Sequence, residues 1–531
     1  MAELRRRSVR YFERALARLE GKWAGTGTPG DSYLDPAHPY ALDLDLFGKG
    51  SLFELLCTAR THVGEDTLAG WLLDPADPDT VRARQEAVVE LCPRVDLRED
   101  LAVLAEEART GVDPVALAAW GEAETLLRPG GRSLVWALTI LGAAGLAALV
   151  AAILDGIHLV ALPNAVVPLL RDLFLLALLG NGYYMYRTRA RMEIAVAAVE
   201  SAAHGLGLLS NVLVRLEREQ FHSPRLAALR KSLETAGEPP SRRLARLRRL
   251  TDSLQSREHF LLRALEVFIL WTPHFAYAIE EWRRQSGPAV RRWLEATGEM
   301  EALCSLASHA FEHPADSFPE FTGNLDCLRA EGIGHPLLEE RRVVRNDVSL
   351  GGELRLLVVS GSNMSGKSTL LRTLGANVIL AQAGAPVRAR RLVLSPVAVG
   401  ASIRVSDSLQ GGVSRFYAEI LRIRQILDLT SGQLPVLFLI DEFLHGTNSH
   451  DRRIGAEALA RSLVQRNAIG LITTHDLALA EIAEKLAPQA ANVHFEDQIA
   501  DGQIEFDYVM RPGVVRKSNA LELMRSVGLE I

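Results

Sequence analysis

Cysteine is scarce in this 531-residue chain. Cys57, Cys92, Cys304 and Cys327 stand far apart, with no CxxC and no Cys/His ligand spacing. That argues against a disulfide scaffold or a structural zinc site, and it favours a reducing compartment. Lysine is scarce too: only six of the 59 basic residues are Lys, and the net charge is −6. With no global positive excess, any nucleic-acid contact must come from a local patch. No secretory signal opens the chain: MAELRRRSVRYFERALARLEGKW is charged throughout and reads as a basic amphipathic helix, with either a solvated face or a membrane-surface or nucleic-acid contact. No internal repeat of about 20–50 residues is visible. What is present is globular material: 48% hydrophobic and 23% charged residues exclude wholesale disorder. The length implies about three or four domains.

The organisation reads as five segments. Residues 1–41 are the basic helix and a Gly/Pro/Asp loop. Residues 42–132 are helical, with Leu52, Phe53, Leu55 and Leu56 at helical spacing and a stop at Asp74-Pro75. Residues 133–186 form a hydrophobic hairpin. Its first arm, Ser133 to Leu154, is 22 residues without a charge. As a helix that is about 33 Å, enough to cross a hydrocarbon core of about 30 Å. The second arm carries Pro163, Pro168 and the pair Arg171-Asp172, and ends in Tyr183, Tyr184 and Tyr186. Arg128 and Arg132 precede the hairpin, and Arg187, Arg189 and Arg191 follow it. The positive-inside rule then puts both chain ends in the cytoplasm and the protein at the cytoplasmic membrane. The alternative is a buried hairpin in a soluble bundle.

Residues 187–330 are helical again. Nine basic and three acidic residues between Arg225 and Arg257 suggest a solvated helix pair or a phosphate-backbone contact. Trp271, Trp282 and Trp293, eleven residues apart, read as the packing stripe of one long helix. Residues 331–531 change texture. Short apolar runs alternate with helices, as in a parallel sheet of an α/β domain. The fold class is therefore α/β plus all-α.

Three strand ends carry the chemistry. The run ending at Ser360 leads into Gly361, Ser362, Asn363, Met364, Ser365, Gly366, Lys367, Ser368 and Thr369, a match to GxxxxGK[ST] followed by a helix. Backbone N–H groups there can wrap phosphates, Lys367 can pair with the β- and γ-phosphates, and Ser368 can bind Mg²⁺. The run Pro435 to Ile440 ends in Asp441-Glu442. Asp441 is placed to hold Mg²⁺ and Glu442 to orient and deprotonate water. The run Ile469 to Thr474 ends in His475, a candidate sensor of the γ-phosphate. Gly412, Val413 and Ser414, ahead of a helical pattern from Phe416, make a further anion-ready helix start.

Together GSNMSGKST, SDSLQGGVSRF, FLIDEFLHGTNS and ITTHD resemble, in order and spacing, the ATPase domain of the MutS mismatch-repair family, relatives of ABC-type ATPases. Asn363-Met364 and Gly446-Thr447 are more particular to MutS. LDLFGKGSLFELLCTARTHVGEDTLAGWLLDP looks like the start of the family's helical core, or lever, domain, and Lys517 to Leu521 looks like the stretch after its last strands. The resemblance implies ATP and Mg²⁺ as cofactors and a homodimer with two composite sites. In it, Gly412 and Ser414 reach the nucleotide of the opposite subunit. Departures stand beside it. Val413 and Arg415 flank Ser414, Leu444-His445 replaces a small, basic pair, and Val343 and Tyr508 stand where the family places adenine-contacting Phe and His. Only about 40 residues precede the core segment, so a short form without the mismatch-reading and connector domains is expected. Two functions follow from this reading. One is a membrane-anchored ATPase whose helical arms clamp mismatched or structured DNA. The other is a membrane ATPase acting on a protein partner. One hairpin is too little membrane for a transporter.

Overall fold

In the computed structural model, the described residues are 2–127, 130–256, 259–323, 327–362, 364–404, 415–442, 449–500 and 503–515. Helix α1 (Ala2–Leu19) buries Tyr11 and turns part of its basic face to neighbouring acids, while Arg5 and Arg6 stay exposed. Arg18 bonds Glu312 at 2.5 and 2.6 Å, and Arg7 and Arg10 meet Glu107 and Glu106, each at 3.0 Å. The helical pattern expected from Leu42 begins later, at α2 (Leu52–Leu56). The intervening chain turns away because the buried carboxylate of Asp43 accepts from the Ile403 and Arg404 N–H groups at 2.6 and 2.7 Å.

Short helices follow, each started by a side-chain oxygen that satisfies an orphan N–H. Thr61 caps α3 (His62–Leu73), Asp77 caps α4 (Pro78–Leu91) and Asp113 caps α7 (Pro114–Glu122). Between these run α5 (Val95–Ala105) and α6 (Ala108–Gly111). Helices α8 (Gly131–Gly156) and α9 (Val166–Glu217) then form an antiparallel pair, closed where Gly145 faces Ala177. The boundary expected at residues 186 and 187 is not a break: α9 runs through it for 52 residues, about 78 Å, because no proline or turn residue interrupts the chain there. Only 17% and 11% of the most apolar stretches of α8 and α9 are buried.

Helix α10 (Pro224–Ser232) packs on α4 and α13, and α11 (Pro240–Gln255) returns along α9. Helix α12 (Phe260–Ile269) lies against α8 and α9 and ends at Leu270 in a left-handed conformation. Helix α13 (Trp271–Glu312) spans 42 residues. Trp282 and Trp293 are buried along it and bond the carbonyls of Arg243 and Leu233, as a packing stripe requires.

Two sheets make up the remainder. The smaller has order β1-β5-β2-β3, from β1 (Glu320–Phe321), β2 (Cys327–Ile333), β3 (Asn346–Gly351) and β5 (Arg391–Leu394). The expected boundary at residue 331 therefore falls inside β2. The strands start earlier because β1 pairs with β5, Glu320 opposite Val393 and Phe321 opposite Leu394. The larger sheet has order β10-β9-β4-β8-β7-β6. Its members are β4 (Leu356–Ser360), β6 (Ala398–Ser402), β7 (Val436–Ile440), β8 (Ile469–Thr474), β9 (Ala490–Ala500) and β10 (Gln503–Pro512). All neighbours are parallel except β9 and β10. The flanking helices are α14 (Lys367–Ala383), α15 (Arg415–Leu429), α16 (Ser449–Gln465) and α17 (Leu477–Lys485). Strands β4, β7 and β8 are buried at every position, which is why they read as continuous apolar runs.

Candidate functional site

Neighbouring parallel strands deliver their C-terminal ends to one edge, and β4, β8 and β7 stand side by side. In open α/β sheets that edge is where ligands bind. The three sequence motifs meet there. Strand β4 passes through Gly361 and Ser362 into Gly366, whose φ of 101° and contact with Tyr508, where a Cβ would lie 3.0 Å from the ring, suit glycine alone. Gly366 caps α14, so the free N–H groups of that helix point into a cleft of about 920 Å³. Ser365 is buried and Met364 is 83% exposed at the cleft.

Lys367 is buried and donates to the Gly361 and Ser362 carbonyls at 3.0 and 2.8 Å. Its ammonium also stands 3.5 Å from Glu442 Oε1. His475 Nδ1 lies 3.4 Å from the same oxygen. Glu442 thus sits between the P-loop lysine and the histidine of the neighbouring strand. Ser368, Thr369, Asp441 and Glu442 all line the cleft. Val343 and Tyr508 line it too, beside Leu338, Arg342 and Phe495. Tyr508 projects from a register shift in β10, held by Asn346, which donates to the Tyr508 carbonyl at 3.0 Å and accepts from Met510 N–H at 2.7 Å. His335, also on the wall, is held neutral: burial first, then Arg372 and Arg388, push its pKa down to about 4. Asn363, Gly412, Ser414, Gly446, Thr447 and Lys517 to Leu521 lie outside the described residues.

One residue of the site was missed in the sequence. Thr473, fully buried on β8, accepts from the Glu442 N–H at 3.0 Å and donates to Asp441 Oδ1. It fixes both acids at once, and Glu442 takes a left-handed φ of 47° beneath it. The signal available was only a second Thr ahead of His475.

The residues present fit a nucleotide with Mg²⁺. The Ser362 and Ser365 hydroxyls are buried with no hydrogen-bond partner among the described residues, beside a helix N-terminus that favours anions. Ser368 and Asp441 are hard oxygen donors of the kind Mg²⁺ takes together with phosphate oxygens. No group of three or more His, Cys, Asp or Glu side chains able to hold a metal by themselves occurs among the described residues.

Residues 357–530 match the family described as MutS domain V. Over this region the chain is similar to MutS proteins. It is 33% identical over 246 residues to the DNA mismatch repair protein MutS of Natronomonas pharaonis, covering 45% of this chain and 28% of that protein. It is 33% identical over 298 residues to DNA mismatch repair protein MutS 2 of Halobacterium salinarum, covering 53% and 32%. A Thermus thermophilus DNA mismatch repair protein MutS is 32% identical over 284 residues, covering 52% and 33%. The matches thus span about a third of the length of these curated relatives.

Proposed function

We propose that this chain is a Mg²⁺-dependent ATPase that works as a homodimer at the cytoplasmic membrane and couples ATP binding and hydrolysis to a clamp on mismatched or structured DNA. The observation that carries the ATPase reading is the convergence of Lys367, Asp441, Glu442 and His475 at the ends of three adjacent parallel strands. Mg²⁺-ATP would bring the phosphoanhydride and a cation to neutralise its oxygens. Lys367 would turn from the loop carbonyls to the phosphates, and Ser368 and Asp441 would hold the metal. Glu442 would orient a water and accept its proton, and His475 would hydrogen-bond the terminal phosphate. Gly412 and Ser414 would complete the partner subunit's site. The curated relatives carry mismatch repair in their names, which supports DNA as the ligand.

Membrane anchoring through residues 133–186 is supported by length and exposure. Helix α8 is about 39 Å long. Ile140, Leu169 and Leu179 are 68%, 67% and 69% exposed. Arg171 bonds Asp172 at 3.0 and 3.1 Å within two turns of the start of α9, where a charge pair would sit near the far interface. With the hairpin spanning, both ends and the ATPase domain face the cytoplasm.

A specific observation favours the second reading, an ATPase acting on a protein partner. Part of the basic stretch is spent inside the chain: Arg225 pairs with Glu299, Arg243 bonds Ser286, and Arg230 bonds the Glu217 carbonyl. The deciding experiment is the ATPase rate of purified protein in detergent with homoduplex, mismatched and branched DNA at two salt concentrations. Stimulation that differs between DNA structures and fades with salt supports the clamp. Turnover indifferent to every DNA, with no retention at low salt, replaces it with the protein-partner reading.

A further inference from the structure

Helices α8, α9, α12 and α13 are tied together at one level of the hairpin. Asn181, fully buried, donates to the Leu138 and Val267 carbonyls at 3.2 and 2.7 Å. Trp136 meets the His274 ring at 4.5 Å, and Phe174 stacks on Phe268 at 5.8 Å. This knot brings the first turns of α8 level with the stretch of α9 around residues 181–184.

Two bands of side chains follow from the knot towards the helical domain. Nearest to the knot stand Trp136, Tyr183 and Tyr186, exposed by 53%, 66% and 79%. One turn towards the helical domain stand Arg132, Arg187 and Arg191, all exposed. Arg189 lies among them but is spent on Glu193 at 2.9 Å. None of the other three makes an ion pair within 4 Å among the described residues, although Arg132 is near enough to Glu281 to help, after the Arg284 hydrogen bond, to hold its carboxyl below the usual range. Three exposed guanidinium groups on two adjacent helices, directly below an aromatic band and an apolar face, are a poor solution to packing. The same arrangement suits a bilayer surface, where aromatics sit at headgroup level and arginines reach the phosphates.

We propose that Arg132, Arg187 and Arg191 form a collar that binds anionic phospholipid headgroups of the cytoplasmic leaflet. The proposal rests on the membrane-anchored reading of residues 133–186 and adds the chemistry of the partner. Guanidinium forks match phosphate oxygens in pairs. Each such residue near a charged surface favours anionic over neutral lipid by about five-fold.

The test uses the full chain in nanodiscs of phosphatidylcholine or phosphatidylglycerol carrying brominated acyl chains. Bromine quenches tryptophan within short range, and Trp136 lies in the aromatic band. Mixtures of brominated and plain lipid of the two headgroups give their relative occupancy around it. The expected result is quenching in both lipids, an anionic preference of at least about five-fold, and its loss in the triple variant R132Q/R187Q/R191Q. Quenching with no headgroup preference in the unmodified protein overturns the collar and leaves the membrane reading standing. No quenching in either lipid overturns both. A triple variant that keeps its lipid preference but loses retention on duplex DNA assigns the arginines to nucleic acid instead and overturns the proposal. The preference of the unmodified chain is informative even if the triple variant fails to fold.

Discussion

Thr473 binds the two acids of the cleft through one hydroxyl, giving its proton to Asp441 and accepting the Glu442 N–H. Thr473→Val keeps the shape and removes both bonds. We expect turnover to fall about ten-fold or more while nucleotide affinity changes less, because a misplaced base costs rate before it costs binding. Parallel measurement of kcat and nucleotide Kd checks the split. Glu442→Gln should still bind ATP and lose about 10²–10⁴-fold in turnover; hydrolysis at the unmodified rate would show that Glu442 is not the base. Glu301 makes a different residue-scale prediction. It is buried in α13 and accepts from the Arg60 and Thr61 N–H groups ahead of α3, at 2.8 and 3.3 Å. Burial raises its pKa from 4.5 to about 7. The folded state therefore holds this proton more tightly than the unfolded state. Its stabilising effect is full below about 4.5 and is lost as pH rises through about 7, by up to about 1.4 kcal/mol per pH unit. Denaturant titrations from pH 4.5 to 7.5 should show that fall, and Glu301→Gln should flatten it.

At the scale of elements, α7 and α13 cross through a glycine pair. A Cβ on Gly287 would lie 2.1 Å from the Gly121 carbonyl oxygen, and one on Gly121 would lie 2.5 Å from that of Gly287. Backbone cannot yield there as a side chain would. Gly287→Ala should cost about 1–3 kcal/mol and lower the unfolding midpoint, even though alanine is the better helix former. A midpoint unchanged or raised would mean the two helices can part at little cost. The strands were legible in the sequence because burial on both faces favours apolar residues: LLVVS, VLFLI and IGLITT read directly as β4, β7 and β8. The segment 42–51 was not, since its path depends on Asp43 bonding a strand end some 360 residues away.

Across the whole molecule, one packed route joins the cleft to the hairpin. Helix α14, which begins at Lys367, packs on α3 and α4; these pack on α13; and α13 reaches the knot through His274, which meets Trp136. Helix α13 alone is about 63 Å long. We expect ATP binding to the Glu442→Gln variant to change amide hydrogen exchange at residues 260–275 as well as at the P-loop, since contiguous packing carries strain. Protection that changes only in the nucleotide domain would mean the long helices do not transmit.

The sequence by itself determined what short-range chemistry dictates. The P-loop, the Asp441-Glu442 pair, the apolar arms and the buried strands are each written in a few consecutive residues, where composition and spacing suffice. The tertiary structure decided what depends on distant partners. It set Glu442 between Lys367 and His475, made Thr473 the brace of both acids and spent Arg7, Arg10 and Arg18 of α1 on acids elsewhere in the chain. It also carried α9 unbroken from the hairpin into the helical domain. Hydrogen bonds and ion pairs between residues tens to hundreds of positions apart leave no periodicity in a sequence, so only the folded chain reveals them.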